Sequence, residues 1–240
     1  MASSVTMAAV SAGVGHLHIA SRFGGLQGGK SVIVSNKVDW AIDPERCALL
    51  VHDMQPHFLD ALPADSRARI VATARGIGEV CVRRGVPIFA SQVPRARRLD
   101  ERGLMADMWG PGPSMAGSGL DPALGFDAHH VRPLVKRSYS AFYGSDFEPM
   151  LRRLGRDALL IVGVYTSIGC HYSAVDAFAR DIRAFLVADG VADLDEAEHA
   201  AGLSAAARTC ARVVTSAQAL EALAPRHRRT APESHAFDVC

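Results

Sequence analysis

Short unbroken apolar runs alternate along this chain with segments whose apolar residues recur every three to four positions. The run CALLV at 47–51 stops abruptly at His52-Asp53. A stretch with no polar interruption is what a strand buried on both faces requires, as in a parallel sheet. Five further runs read the same way: VPIFAS at 86–91, a weaker one at 131–135 before Lys136, LLIVGV at 159–164, AFLVA at 184–188 and ARVVT at 211–215. Helical spacing fills the intervals at 65–84, closed by Gly85, and at 147–154, 170–180 and 196–210. The alternation predicts a three-layer α/β/α fold on a mostly parallel six-stranded sheet. Such sheets take ligands beyond the carboxyl ends of their strands.

The 240 residues suffice for one sizeable core. Residues 1–35, rich in Ala, Ser and Gly, read as a flexible arm, 36–223 as the folded domain, and the polar stretch 224–240 as a tail. The GGLQGGKS segment at 24–31 misplaces its first glycine for a phosphate loop, and no strongly apolar strand precedes it.

Hydrophobic residues make up 49% of the chain, charged residues 21%, and the net charge is +1. That balance leaves no electrostatic footprint for nucleic acid or an anionic membrane, while two or three local cations still suffice for a small dianion. No apolar run approaches the roughly 20 residues of a membrane span, and the N-terminus makes a poor signal peptide. The five cysteines, Cys47, Cys81, Cys170, Cys210 and Cys240, form no CxxC pair, which fits free thiols in a reducing cytoplasm. His129-His130 and Glu198-His199 lack a third ligand at sensible spacing, so neither a metal nor another cofactor is expected.

Four polar residues stand at strand exits: Asp53, Gln92, Lys136 and Tyr165. Taken singly, an Asp there is a helix cap, a Lys is solvated and a Tyr is packing. An acid, an amide, a base and a phenol at neighbouring exits form a convergent polar set, the mark of a site.

NKVDW at 36–40, CALLVHDMQPHFL at 47–59, DMWGPG at 107–112, LVKRSYSAF at 134–142, GVYTSIGCHYSAVDAFARDI at 163–182 and FLVADGVADL at 185–194 together resemble the isochorismatase-like hydrolases. They are most similar to the pyruvate-releasing branch, which includes siderophore-pathway isochorismatases and phenazine-pathway aminodeoxyisochorismate hydrolases. Most of that superfamily uses Asp, Lys and a nucleophilic Cys on amides. The resemblance sets the nucleophile's position, counted back from Asp176-Ala177, at Gly169 rather than Cys170. It implies a metal-free hydrolysis of an enol-pyruvyl ether.

On that resemblance Asp53, Lys136 and Gln92 are catalytic, with Gln92 bonding the substrate and helping to position Asp53. Arg102 clamps a carboxylate with its planar fork. Trp109 walls the pocket, Phe58 packs near it, Tyr165 donates to a carboxylate, and Gly169 lies against the substrate. The family also carries a cis peptide at the residue matching Tyr165. The difficult step is protonation of the terminal methylene carbon, which needs an acid still protonated near neutral pH. Asp53 is the candidate, taking up its proton when substrate carboxylates offset Lys136 and Arg102. The loop between Gln92 and Arg102 adds Arg95, Arg97 and Arg98, a solvated basic loop or a cationic lip.

Three functions stay open at this point. The first is hydrolysis of 2-amino-2-deoxyisochorismate or isochorismate; the lack of a carrier domain after residue 223 tilts toward the amino substrate. The second is a cysteine amidohydrolase using Cys170, and the third is a catalytically silent scaffold. The resemblance further implies a homodimer or larger homo-oligomer.

Overall fold

The computed structural model describes residues 16–20 and 31–225. In chain order the strands are β1 (His16–Ala20), β2 (Ser31–Ser35), β3 (Cys47–His52), β4 (Ile88–Gln92), β5 (Val131–Val135), β6 (Ala158–Val164), β7 (Arg183–Ala192) and β8 (Ala211–Val214). The helices are α1 (Pro56–Leu59), α2 (Ala64–Arg84), α3 (Leu104–Trp109), α4 (Phe147–Arg153), α5 (His171–Phe178), α6 (Glu196–Thr209) and α7 (Ser216–Leu223).

Strands β3 to β8 form one parallel sheet in the order β5-β4-β3-β6-β7-β8. The chain winds outward from β3 to β5, then returns to β6 beside β3 and winds the other way. The switch point therefore lies between β3 and β6, where an open α/β sheet forms its ligand crevice.

Every residue of β3 is buried, as its apolar run implied. Alternation sends Cys47, Leu49 and Val51 to one face, against Ile70, Ala74 and Ile77 of α2. Ala48 and Leu50 face the other way, toward Phe147, Leu151, Ala174 and Leu203 of α4, α5 and α6. Helices on both faces of a parallel sheet give the three layers expected.

The arm expected over 1–35 and the tail over 224–240, which holds Cys240, fall largely outside the described residues. Within them, 16–20 and 31–35 pair as an antiparallel ribbon, His16 opposite Ser35. Asn36 then joins the ribbon to the sheet edge: its side-chain amide donates to the Val213 carbonyl at 2.9 Å, and Val213 N–H donates back at 2.7 Å.

Strand β7 runs four residues beyond the apolar run AFLVA, to Ala192. Its pairing with β6 slips between Ile161 and Gly163, and this irregularity accommodates Asp189 and Gly190 within the strand. The segment after β6 differs too. Residues 166–170 form a wide π-helical turn, and regular α-helix begins at His171.

Candidate active site

Asp53 follows the last residue of β3 with φ +49°, a left-handed conformation that Asp tolerates better than most residues. Its N–H is held by the Ser91 carbonyl at 3.2 Å and the Ser91 hydroxyl oxygen at 3.1 Å. The turn aims the carboxyl into a cavity of about 290 Å³ at the switch point.

Asp53 is only 6% exposed, and both oxygens of its carboxyl are engaged. Lys136 Nζ reaches Oδ2 at 2.7 Å from the exit of β5, and Ser91 Oγ donates to Oδ1 at 2.6 Å. Burial pushes the Asp53 pKa up, but the charges of His52 and Lys136 and the bonds from Lys136 and Ser91 outweigh it. The group titrates below the ordinary aspartate range and is ionised in the ligand-free enzyme. Lys136, itself 3% exposed, spends a second donor on the Ser138 carbonyl at 2.7 Å. One of its three ammonium protons is left for a ligand.

Arg102 lines the same cavity, with Nε donating to the Gly110 carbonyl at 2.8 Å and its terminal nitrogens paired with no carboxylate among the described residues. Trp109 forms part of the wall, fixed by a 2.9 Å bond from its indole N–H to the Tyr139 hydroxyl. Phe58 and Tyr165 meet edge to face at 6.2 Å, and both line the cavity. The Tyr165 hydroxyl donates to the Phe58 carbonyl at 3.0 Å rather than standing free for a carboxylate. The Val164–Tyr165 peptide is cis.

Gly169 completes the floor. A Cβ built there would fall 2.2 Å from Cε1 of the buried His52 ring, so the position admits no side chain unless His52 moves. His57 stands at the mouth; burial and then Arg102 push its pKa down.

Gln92 is the one expected site residue that the cavity lining leaves out. Its main-chain carbonyl accepts from Lys136 N–H at 3.0 Å. Strand alternation is the reason. Ser91 points at Asp53, so the next side chain on β4 points to the other face of the sheet. Val93 takes the wall position instead. Buried Gln55 pins Val93, accepting from its N–H at 2.8 Å and donating to its carbonyl at 3.0 Å.

Ser91, Gln55 and Tyr139 were not singled out from the sequence. Ser91 carries a readable signal, a polar residue inside an apolar run, but the choice between it and Gln92 needs the strand's register.

Cys170 lies in the core on the face of α4 to α6, fully buried and outside the cavity lining. Burial, then Asp53 and Asp193, push its thiol well above the ordinary range. No group of three or more His, Cys, Asp or Glu side chains that could hold a metal ion occurs among the described residues. No helix among them is long and apolar enough to cross a membrane. The cavity thus offers one buried acid–base pair, one unpaired guanidinium and walls that are otherwise largely apolar.

Comparison with known proteins follows these features. A family model for the isochorismatase domain matches residues 47–218. The chain is 42% identical over 193 residues to phenazine biosynthesis protein PhzD1 of Pseudomonas aeruginosa, covering 78% of this chain and 91% of that one. It is 39% identical over 197 residues to enterobactin synthase component B of Escherichia coli, covering 80% and 69%. Among solved structures, a cysteine hydrolase from Pseudomonas syringae superimposes with a TM-score of 0.71 at 21% identity, covering 78% and 96%.

Proposed function

The chain belongs to the isochorismatase family of hydrolases, and we propose that it hydrolyses the enol-pyruvyl ether of 2-amino-2-deoxyisochorismate, or of isochorismate, to pyruvate and a trans-dihydro-hydroxy acid. Asp53 is the general acid, and no cysteine takes part. The observation that carries this reading is the buried Asp53–Lys136 pair in a cavity whose lining includes no thiol and no serine or threonine hydroxyl.

An enol ether is activated by protonation at its terminal methylene carbon. The proton leaves the Asp53 oxygen, a C–H bond forms, and the positive charge spreads onto the ether oxygen. The restored carboxylate then faces an oxocarbenium ion, which it stabilises electrostatically while water adds. That water gives its proton back to Asp53, and the hemiketal collapses to pyruvate and the ring alcohol. General acid catalysis of this kind contributes about 10²–10⁴-fold.

The remaining cations match a substrate with two carboxylates. Arg102 offers an unpaired planar fork, and Lys136 has one donor left. A carboxylate drawn to Lys136 offsets the charge that keeps Asp53 ionised, so binding raises the affinity of Asp53 for a proton. The burial of Cys170 in the core supports no role for it as a nucleophile.

In the same reading the protein works in the cytoplasm as a homodimer or larger homo-oligomer. The free, buried thiols of Cys47, Cys81, Cys170 and Cys210 are compatible with a reducing compartment. Sedimentation equilibrium tests the assembly; a monomer at micromolar concentration contradicts it.

A coupled pyruvate assay tests the activity, with the 2-amino substrate and isochorismate run side by side. Release of pyruvate is expected from at least one, and the ratio of kcat/KM ranks the ring substituents. No pyruvate from either ether refutes the reading.

A further inference from the structure

Asp53 must be protonated to act, yet Lys136 at 2.7 Å and Ser91 at 2.6 Å hold it as a carboxylate. The imidazole of His52 lies directly behind it. Its Nδ1 is 3.6 Å from Asp53 Oδ2, and the ring is wholly buried.

Both ring nitrogens face carbonyl oxygens: Nδ1 faces that of Val164 at 2.8 Å, and Nε2 that of Tyr139 at 3.2 Å. Carbonyls accept only. A neutral imidazole has one N–H, so one nitrogen lone pair must face an oxygen lone pair. The imidazolium alone donates to both.

The opposing force is charge. Burial pushes His52 down, Asp53 pulls it up and Lys136 pushes it down again, which leaves it at about 4. Asp53 and Lys136 are the charged groups that face it; Val164 and Tyr139 present carbonyls, and Gly169 presents its Cα. A substrate carboxylate drawn to Lys136 weakens one of the two effects that keep the ring neutral.

We propose that His52 is a positioning residue that stores the proton for Asp53. It takes a proton from solvent as a dicarboxylate enters; the ring then turns from the Val164 carbonyl, closes the 3.6 Å gap to hydrogen-bond distance and passes the proton from Nδ1 to Oδ2. The N–H bond breaks and an O–H bond forms, leaving a neutral imidazole and a carboxylic acid beside the methylene carbon. When water adds to the oxocarbenium ion, its proton returns to Asp53 and then to His52, so each turnover is proton-neutral. Two groups this close titrate as a couple, with the proton shared between two seats. The inference rests on the enol-ether reading of the same site.

The pH dependence of kcat for pyruvate release separates this role from mere packing. In His52→Asn, Asp53 must draw its proton from solvent, which is feasible in acid and scarce at high pH. The ratio of wild-type to variant kcat should stay within about threefold near pH 5 and rise by about tenfold or more by pH 8, with KM nearly unchanged. Gly169→Ala provides a second route, because its Cβ displaces the His52 ring without changing its chemistry; the same pH-dependent loss is expected. A loss of equal size at every pH, or no loss in either variant, overturns the proposal while leaving the enol-ether reading intact. A wild-type enzyme that releases no pyruvate at any pH takes both down.

Discussion

Lys136 and Asp53 are both buried, so each charge is tolerable because of the other. Lys136→Met leaves a buried carboxylate with Ser91 as its remaining side-chain donor, a change that costs about 3–5 kcal/mol. The sign with pH is specific. In the wild type the depressed Asp53 contributes stability above its unfolded pKa of about 3.9 and loses it as pH falls through the lower folded value. In the variant, burial acts with one cation fewer opposing it, so the penalty shrinks as the carboxyl protonates. Denaturant melts should therefore show the deficit at pH 7 and much less of it at pH 4; an equal deficit at both contradicts the pairing. Asp53 and Lys136 were both legible because each directly follows an apolar run. Gln92 stays off the cavity lining because adjacent strand residues face opposite ways, and the register that puts Ser91 inward is a tertiary property.

The turn at Thr166–Cys170 carries Gly169, and α6 holds it in place. Gly202 of α6 packs so closely that a Cβ there would lie 2.8 Å from both N and Cα of Ser167. Asp193 accepts from Ser167 N–H at 2.7 Å, and His199 shares a 2.8 Å bond with Thr166 Oγ1. Gly202→Val must push α6 off the turn, since the obstacle is backbone. We expect a loss of about 1–3 kcal/mol in stability together with a fall in kcat; a variant that melts like the wild type refutes the contact. Elements like α2 were legible nearly to the residue because periodicity ends at Gly85, which adopts φ +65°. Helix α7 was missed, although Thr215 and Gln218 form a capping box at its start. The widened turn at 166–170 was not read as an element, because Thr-Ser-Ile-Gly-Cys carries no helical signal of its own; packing of α6, not propensity, shapes it.

Across the molecule, two buried histidines are held neutral by the fold. Burial pushes both His52 and His199 down to about 4, against an ordinary value of 6.5. Between those values the unfolded chain binds protons that the ligand-free folded chain does not, so stability falls as pH drops from about 6.5 to about 4 and levels off below. Each group contributes at most about 3 kcal/mol to that fall. His199→Gln should flatten the slope in urea melts between pH 6.5 and 4; an unchanged slope counts against a buried neutral His199. The α/β layering was legible because strands buried on both faces leave continuous apolar runs. The ribbon of β1 and β2 was not, because its Gly- and Ser-rich surroundings resemble a linker.

The central claim is that one carboxyl group performs the chemistry without a covalent intermediate. Comparing Asp53→Asn and Cys170→Ser for pyruvate release from 2-amino-2-deoxyisochorismate tests it most directly. Asp53→Asn is expected to lose kcat by about 10²-fold or more, while Cys170→Ser stays within a few-fold of the wild type. Activity retained in the first variant and abolished in a folded second one contradicts it.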